Sequence, residues 1–470
     1  MTGKERGTAS LTEAVAEFAH GTTYEGIPAE VLELGKKSIL DGLAVALSGS
    51  VSPQSRIITD YARELSRPGT CTLIGHAGGL VPRYAALANG TAMHADDYDD
   101  TLQAAIDRYQ GVHPTAPVLA AVLAAAENLD ISGRNLLTAY EVGVEVACRI
   151  FDATHANHTL NGFHATATCA MLGATAGVAN ALGAGTERTR TALGVAASHA
   201  GGVLDNIGTM VKPLHAGRSA ECAIVANDLT ARGFTASQTV LEAPRGFFMA
   251  FGGGHEDARI RPKLGNPWSF VERGVWLKPF PSCSLTHPAL TRVRELAVEH
   301  KLQPADIERI NVSTSQNIRE TLRNHAPTDE LAAKFSMEFC IAAMLHEGKC
   351  GLVQFDPALV NRADVRRTMS LVNYTAYTDA EAKSGNYGLV TTLLEIVLKD
   401  GRAIKSRIES GKGSKANPMS MSEVADKFRE CAEYARWPQA KTDKVISTVQ
   451  SLEALRSVRE LTACLAANNL

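Results

Sequence analysis

Between residues 165 and 185 the chain is dominated by alanine, glycine and threonine, and the stretch that begins at Leu193 has the same character. Small side chains on helices let two backbones approach closely, so a sequence built this way packs as a tight helical bundle. Composition agrees: 45% of residues are hydrophobic but only 6% aromatic, a core of small aliphatics. The same stretch is too weakly apolar for a membrane span, so a protein without a membrane partner is expected.

The first two-thirds reads as helix after helix. Ser10 and Glu13 form a capping box ahead of Leu11, Val15 and Phe18 at helical spacing. Pro28 opens a second helix through Leu32, Ile39 and Leu43, and residues 117–129 predict a short apolar one. The pattern changes near Pro262. A helix over 290–300, a strand-like run at Ile310, Val312 and Thr314, and a helix over 332–345 follow. Period-two alternation at Leu394, Ile396 and Leu398, then Asp400-Gly401, then Ile404, Ser406 and Ile408 predicts a hairpin. Helical spacing returns at Val445, Val449 and Leu452. The fold expected is therefore mainly α: a large all-helical domain from both chain ends (1–273 and 410–470) interrupted by a smaller α+β domain (274–409).

Lys plus Arg is 47 and Asp plus Glu 50, a formal net charge of −3, which excludes a broad basic footprint for nucleic acid. Nine irregularly spaced cysteines include no Cys-x-x-Cys pair, so reduced thiols and a cytoplasmic setting are expected rather than a disulfide framework or clustered thiolate metal ligation.

The densest constellation is the run HADDYDDT, residues 94–101. On a helix, His94, Asp97 and Thr101 would share one face. Its Asp96-Asp97-x-x-Asp100 pattern also suits magnesium diphosphate in helical prenyl and terpene enzymes, although the second aspartate-rich motif and the aromatic cavity those enzymes need are missing. His113 precedes an apolar helix. Asn161-Gly162-Phe163-His164 is a turn that delivers an imidazole to the head of the small-residue helix, a position that favours a neutral general base. Lys212, beside a proline in an apolar setting, is poorly placed for plain solvation and suits an anion or a base role. Lys278 sits in a Pro-rich entry to the second domain, where Cys283 reads as a packed thiol. His155 and His158 lack acidic partners for a metal pair, and the glycine runs at 252–254 and 411–413 are only fragments of phosphate loops.

Taken together, HADDYDDT, HPTAPVLAA, NGFHATA, VKPLHAGRSA, WLKPFPSCSLTHPAL, KFSMEFCIAAML and GSKANPMS resemble the MmgE/PrpD family in order and along nearly the whole chain. The resemblance implies a cofactor-free, metal-free lyase acting on a small anionic di- or tricarboxylate, in a homodimer whose smaller domain is a lid. It implies catalytic roles for His164, His113, Asp97 and Lys212. Thr101, Lys278, His94 and His215 would bind substrate. The family includes 2-methylcitrate dehydratases, cis-aconitate decarboxylases and an iminodisuccinate epimerase. Dehydration of a 2-methylcitrate-like hydroxy-tricarboxylate is the leading expectation. Decarboxylation of cis-aconitate and epimerisation of a substituted succinate are the alternatives. The catalytic tyrosine of the decarboxylase branch falls on Phe339. Leu102, followed by a stretch with Asp107, Arg108 and Tyr109, stands where the dehydratases have tryptophan.

Overall fold

A computed structural model describes residues 9–103 and 111–467; the Asp107–Tyr109 stretch lies outside the described residues. The protein is mainly α. Its chain divides into two compact units, one comprising Met1–Ala95, Asp99–Val275 and Glu423–Leu470, the other Asp96–Tyr98 and Trp276–Ser422.

The first unit is helical. It runs α1 (Leu11–Gly21), α2 (Ala29–Ser50), α3 (Pro53–Leu65), α4 (Pro82–His94), α5 (Thr115–Leu129), α6 (Gly133–Ala153), the short α7 (Asn157–Leu160), α8 (Ala165–Ala181), α9 (Thr186–Ala197) and α10 (Val211–Ala231), and adds the C-terminal helix Gln439–Gln450. A small antiparallel ribbon joins β1 (Pro68–Thr72) to β2 (Gly79–Leu80). The capping box at Ser10 is formed, and Pro28 stands at the N-cap of α2. Among the described residues no helix is long and apolar enough to cross a membrane.

Glycines set the close helix contacts. In α8, a Cβ on Gly173 would lie 2.4 Å from the Gly143 carbonyl oxygen of α6, and one on Gly177 2.7 Å from the Ala139 carbonyl oxygen. A Cβ on Gly217 of α10 would meet the Leu87 carbonyl oxygen of α4 at 2.4 Å. These helices thus meet backbone to backbone, as the small-residue composition requires, and any larger residue there forces them apart.

The second unit holds a four-stranded sheet in the order β4–β3–β5–β6, from β3 (Ile307–Thr314), β4 (Val372–Ala376), β5 (Thr392–Leu398) and β6 (Ala403–Ile408). β3 pairs parallel with β4 and antiparallel with β5. β5 and β6 form the hairpin expected around Asp400-Gly401, with Ile396 opposite Ile404. Ile310, Val312, Leu394 and Ile396 enter an apolar core shared with the helices His287–Glu299 and Met337–Glu347. Phe339 lies in that core, its ring 5.4 Å from that of Phe355. The helix expected over 332–345 is broken: Ser336 caps a new helix by accepting from the Phe339 amide at 3.2 Å.

One expectation is corrected. HADDYDDT is not a helix face. α4 ends at His94, and Asp97 has φ = +51°, in the left-handed region that no α-helix contains. His94, Asp97 and Thr101 therefore do not follow helical spacing.

Candidate active site

In the first unit four helix ends bring imidazoles together. His94 closes α4, His164 is the N-cap residue of α8, and His215 lies in the second turn of α10. His113 comes just ahead of α5. The ring centroids of His94 and His113 are 4.8 Å apart, those of His94 and His164 6.0 Å, and those of His164 and His215 5.3 Å. The backbone fixes these positions. His113 donates its amide to the Thr166 hydroxyl on α8 at 3.1 Å, and the His164 amide donates to the Gly202 carbonyl at 3.0 Å. Thr101 is held beside this cluster by the bridge between Leu102 and Val112, its hydroxyl 3.4 Å from the Val112 carbonyl oxygen.

The turn that replaces the expected helix places its carboxylates one by one. Asp99 is buried and accepts from His94 Nδ1 at 2.8 Å; the same oxygen lies 3.6 Å from His113 Nδ1. His113 Nδ1 donates to the Asp100 carbonyl at 2.7 Å. Both imidazoles thus carry their proton on Nδ1 and keep Nε2 as the basic nitrogen. The Asp100 carboxyl accepts from the Thr115 amide at 3.2 Å and from the Thr115 hydroxyl, which is 2.6 Å from the Tyr140 hydroxyl. Burial pushes the Asp100 carboxyl well above its usual range against the pull of Thr115, and the Asp99 and Asp41 charges add to the rise.

His164 has a different setting. Its Nδ1 is 3.1 Å from His215 Nδ1, so one of the pair donates and the other accepts. Burial lowers its proton affinity well below the ordinary imidazole value, with His94, Lys212, His113 and His215 adding to the effect. The direction of this shift keeps the His164 imidazole neutral at physiological pH. Burial rather than the helix end is the main cause. His215 is lowered too, by burial and then by Lys212. Lys212, at the start of α10, is itself buried. The cluster thus sets the lowered imidazoles of His164 and His215 and the buried Lys212 beside a pair of imidazoles that face a carboxylate, a setting for proton transfer at an anionic guest.

Asp97 and Lys278 belong to the second unit. Lys278 Nζ is 3.1 Å from the Asp97 carboxylate and donates to the Asp97 carbonyl at 2.7 Å; Lys334 Nζ donates to the Asp96 carbonyl at 2.9 Å. The carboxylate that takes the His94 imidazole is Asp99. Asp99, Thr115 and Tyr140 were not singled out by sequence reasoning, although Asp99 stood in the motif; Asp100 was read only as part of a magnesium–diphosphate pattern.

His94, His113 and His164 offer ring nitrogens within 4.8 Å of one another. His158 Nε2 is hydrogen-bonded to the Thr168 hydroxyl at 2.7 Å.

The MmgE/PrpD N-terminal domain model matches residues 13–259, and the C-terminal domain model residues 280–453. The chain belongs to the MmgE/PrpD family. Within it, the chain is 30% identical to cis-aconitate decarboxylase of Homo sapiens, covering 97% of this chain and 94% of that protein. Cis-aconitate decarboxylase of Mus musculus is 29% identical, over 97% and 93%. That of Aspergillus terreus (strain NIH 2624 / FGSC A1156) is 27% identical, over 96% and 95%.

Proposed function

We propose that this family member is a lyase that decarboxylates cis-aconitate or a closely similar unsaturated tricarboxylate. The observation that carries the reading is the full-length similarity to relatives named cis-aconitate decarboxylase, across the residues that form the histidine cluster. It favours decarboxylation over the dehydration expected first. The second unit's Phe339, fully buried among apolar neighbours, supplies no hydroxyl for either reaction.

The chemistry follows from the substrate. Loss of carbon dioxide from a carboxylate one carbon removed from a double bond breaks a C–C bond. Its electron pair becomes the new C=C, and the old π pair takes up a proton at carbon. An imidazolium gives that proton and regains one from water. The ammonium group of Lys212 offsets the charge of a remaining carboxylate and of the developing carbanion. In the same reading the smaller unit is the lid, the active form is a homodimer in the cytoplasm, and the remaining sequence-implied contacts of Asp97, Thr101, Lys278 and His215 are with substrate.

Incubation with cis-aconitate, methylcitrate and substituted succinates in deuterated water containing chelator, followed by NMR, tests this. The expected result is carbon dioxide release from cis-aconitate and one deuterium in the product. Water loss from methylcitrate without carbon dioxide would replace the reading with the dehydratase. Turnover of a diphosphate only with added magnesium would overturn it.

A further inference from the structure

Two of the clustered imidazoles share one carboxylate and the third does not share it. Asp99 Oδ2 stands 2.8 Å from His94 Nδ1 and 3.6 Å from His113 Nδ1, while His164 Nδ1 faces another imidazole, His215, with Lys212 nearby. Among the described residues, the charged and titratable groups shown facing the pair include Asp99, His164 and, through His164, Lys212 and His215; Asp100 faces Asp99 and accepts from His113 Nδ1 on its backbone carbonyl. A positive charge on either His94 or His113 is matched by Asp99. A charge on His164 would add to that of Lys212. Environments that push neighbouring groups apart in this way divide acid from base.

We propose that Asp99 is a positioning residue that acts through His94. It fixes the Nδ1–H tautomer of His94, leaves Nε2 as the nitrogen that exchanges protons, and makes the His94–His113 pair, rather than His164, the store of the proton delivered to substrate carbon. When that proton leaves, it departs from Nε2. The Nδ1 proton remains on His94, hydrogen-bonded to Asp99. This deepens the decarboxylase reading and rests on it for the chemical step. The tautomer assignment stands on geometry alone.

The test uses Asp99→Asn, His94→Gln and the double variant in the full-length chain. Imidazole ¹⁵N shifts of the ligand-free protein report the His94 tautomer. Activity on cis-aconitate is followed as kcat and KM across pH. Asp99→Asn is expected to lower kcat by about 10²–10³-fold with KM changed less than about threefold, to move the pH limb that reports the proton-holding group toward lower pH, and to lose the single Nδ1–H signature. The double variant should be no slower than His94→Gln, because both changes remove one unit of function. A folded Asp99→Asn with wild-type kcat and pH profile would overturn the proposal, as would a double variant in which the two losses multiply. If Asp99→Asn does not fold, wild-type kcat in His94→Gln overturns it equally. A wild-type protein inactive on cis-aconitate would instead refute the proposed substrate, and the shifts would still decide the tautomer.

Discussion

Glu141 on α6 is fully buried, and neither carboxyl oxygen has a hydrogen-bond partner among the described residues. Its Oε1 lies over Gly35 of α2, so close that a Cβ there would sit 1.7 Å away. Burial, with the Glu145 charge in support, raises its proton affinity well above the ordinary carboxyl range. The folded protein therefore holds Glu141 protonated where the unfolded chain, with a pKa of about 4.3, has released the proton. In that window the folded state binds one proton more than the unfolded state. Stability then falls by about 1.4 kcal/mol for each pH unit gained, until the folded group also ionises. Glu141→Gln removes that slope but keeps an unpartnered polar group. Glu141→Met removes both, and the unpaired group alone costs about 1–3 kcal/mol. Urea unfolding followed by circular dichroism at pH 5.5 and 7.5 separates the contributions. Met is expected to stabilise at both pH values and Gln mainly at the higher one, with either advantage growing by up to about 2.8 kcal/mol across the two units. A Met variant less stable than wild type at both pH values, or an advantage independent of pH, would refute the reasoning.

Other outcomes follow from the cluster. His164→Asn should lower kcat on cis-aconitate by less than His94→Gln does, with the fold intact by circular dichroism, because the delivered proton is held by the His94–His113 pair. Lys212→Met should raise KM and lower kcat together in steady-state assays, because the ammonium group serves both the bound anion and the developing charge. Thr115→Val should destabilise by about 1–3 kcal/mol in urea unfolding, since it strips the hydroxyl that joins Asp100 to Tyr140. The lowered proton affinity of His164 acts opposite to that of Glu141. The unfolded chain takes up its imidazole proton below about pH 6.5 while the folded state still refuses it, so stability falls as pH drops through that window. Replacing His164 by Asn should flatten that acidic slope in pH-dependent melting.

Local rules recovered what local physics decides. The box at Ser10 and Glu13, the proline before α2 and the hairpin at Asp400-Gly401 each depend on residues a few positions apart, and each is present. The turn after His94 depends on distant partners. Its spacing fits a helix, but Lys278 and Lys334 take the backbone carbonyls of Asp97 and Asp96, and the chain bends to meet them. β4 was missed because its pairing with β3 joins segments some sixty residues apart, as Val312 opposite Tyr374 illustrates. For the site, the histidines and Lys212 stood out as chemistry in odd surroundings. Asp99 did not, because one carboxylate in an acidic run looks solvated until its burial is known.

The glycine seams reach further than packing. Gly217 lies two residues past His215 on α10 and abuts the helix that ends in His94, while Gly173 lies nine residues past His164 on α8. A seam without side-chain volume has no slack to absorb a mutation, so a methyl group added at either position moves a histidine. In a saturation scan these two glycines should score with the catalytic groups, although neither offers an atom to chemistry.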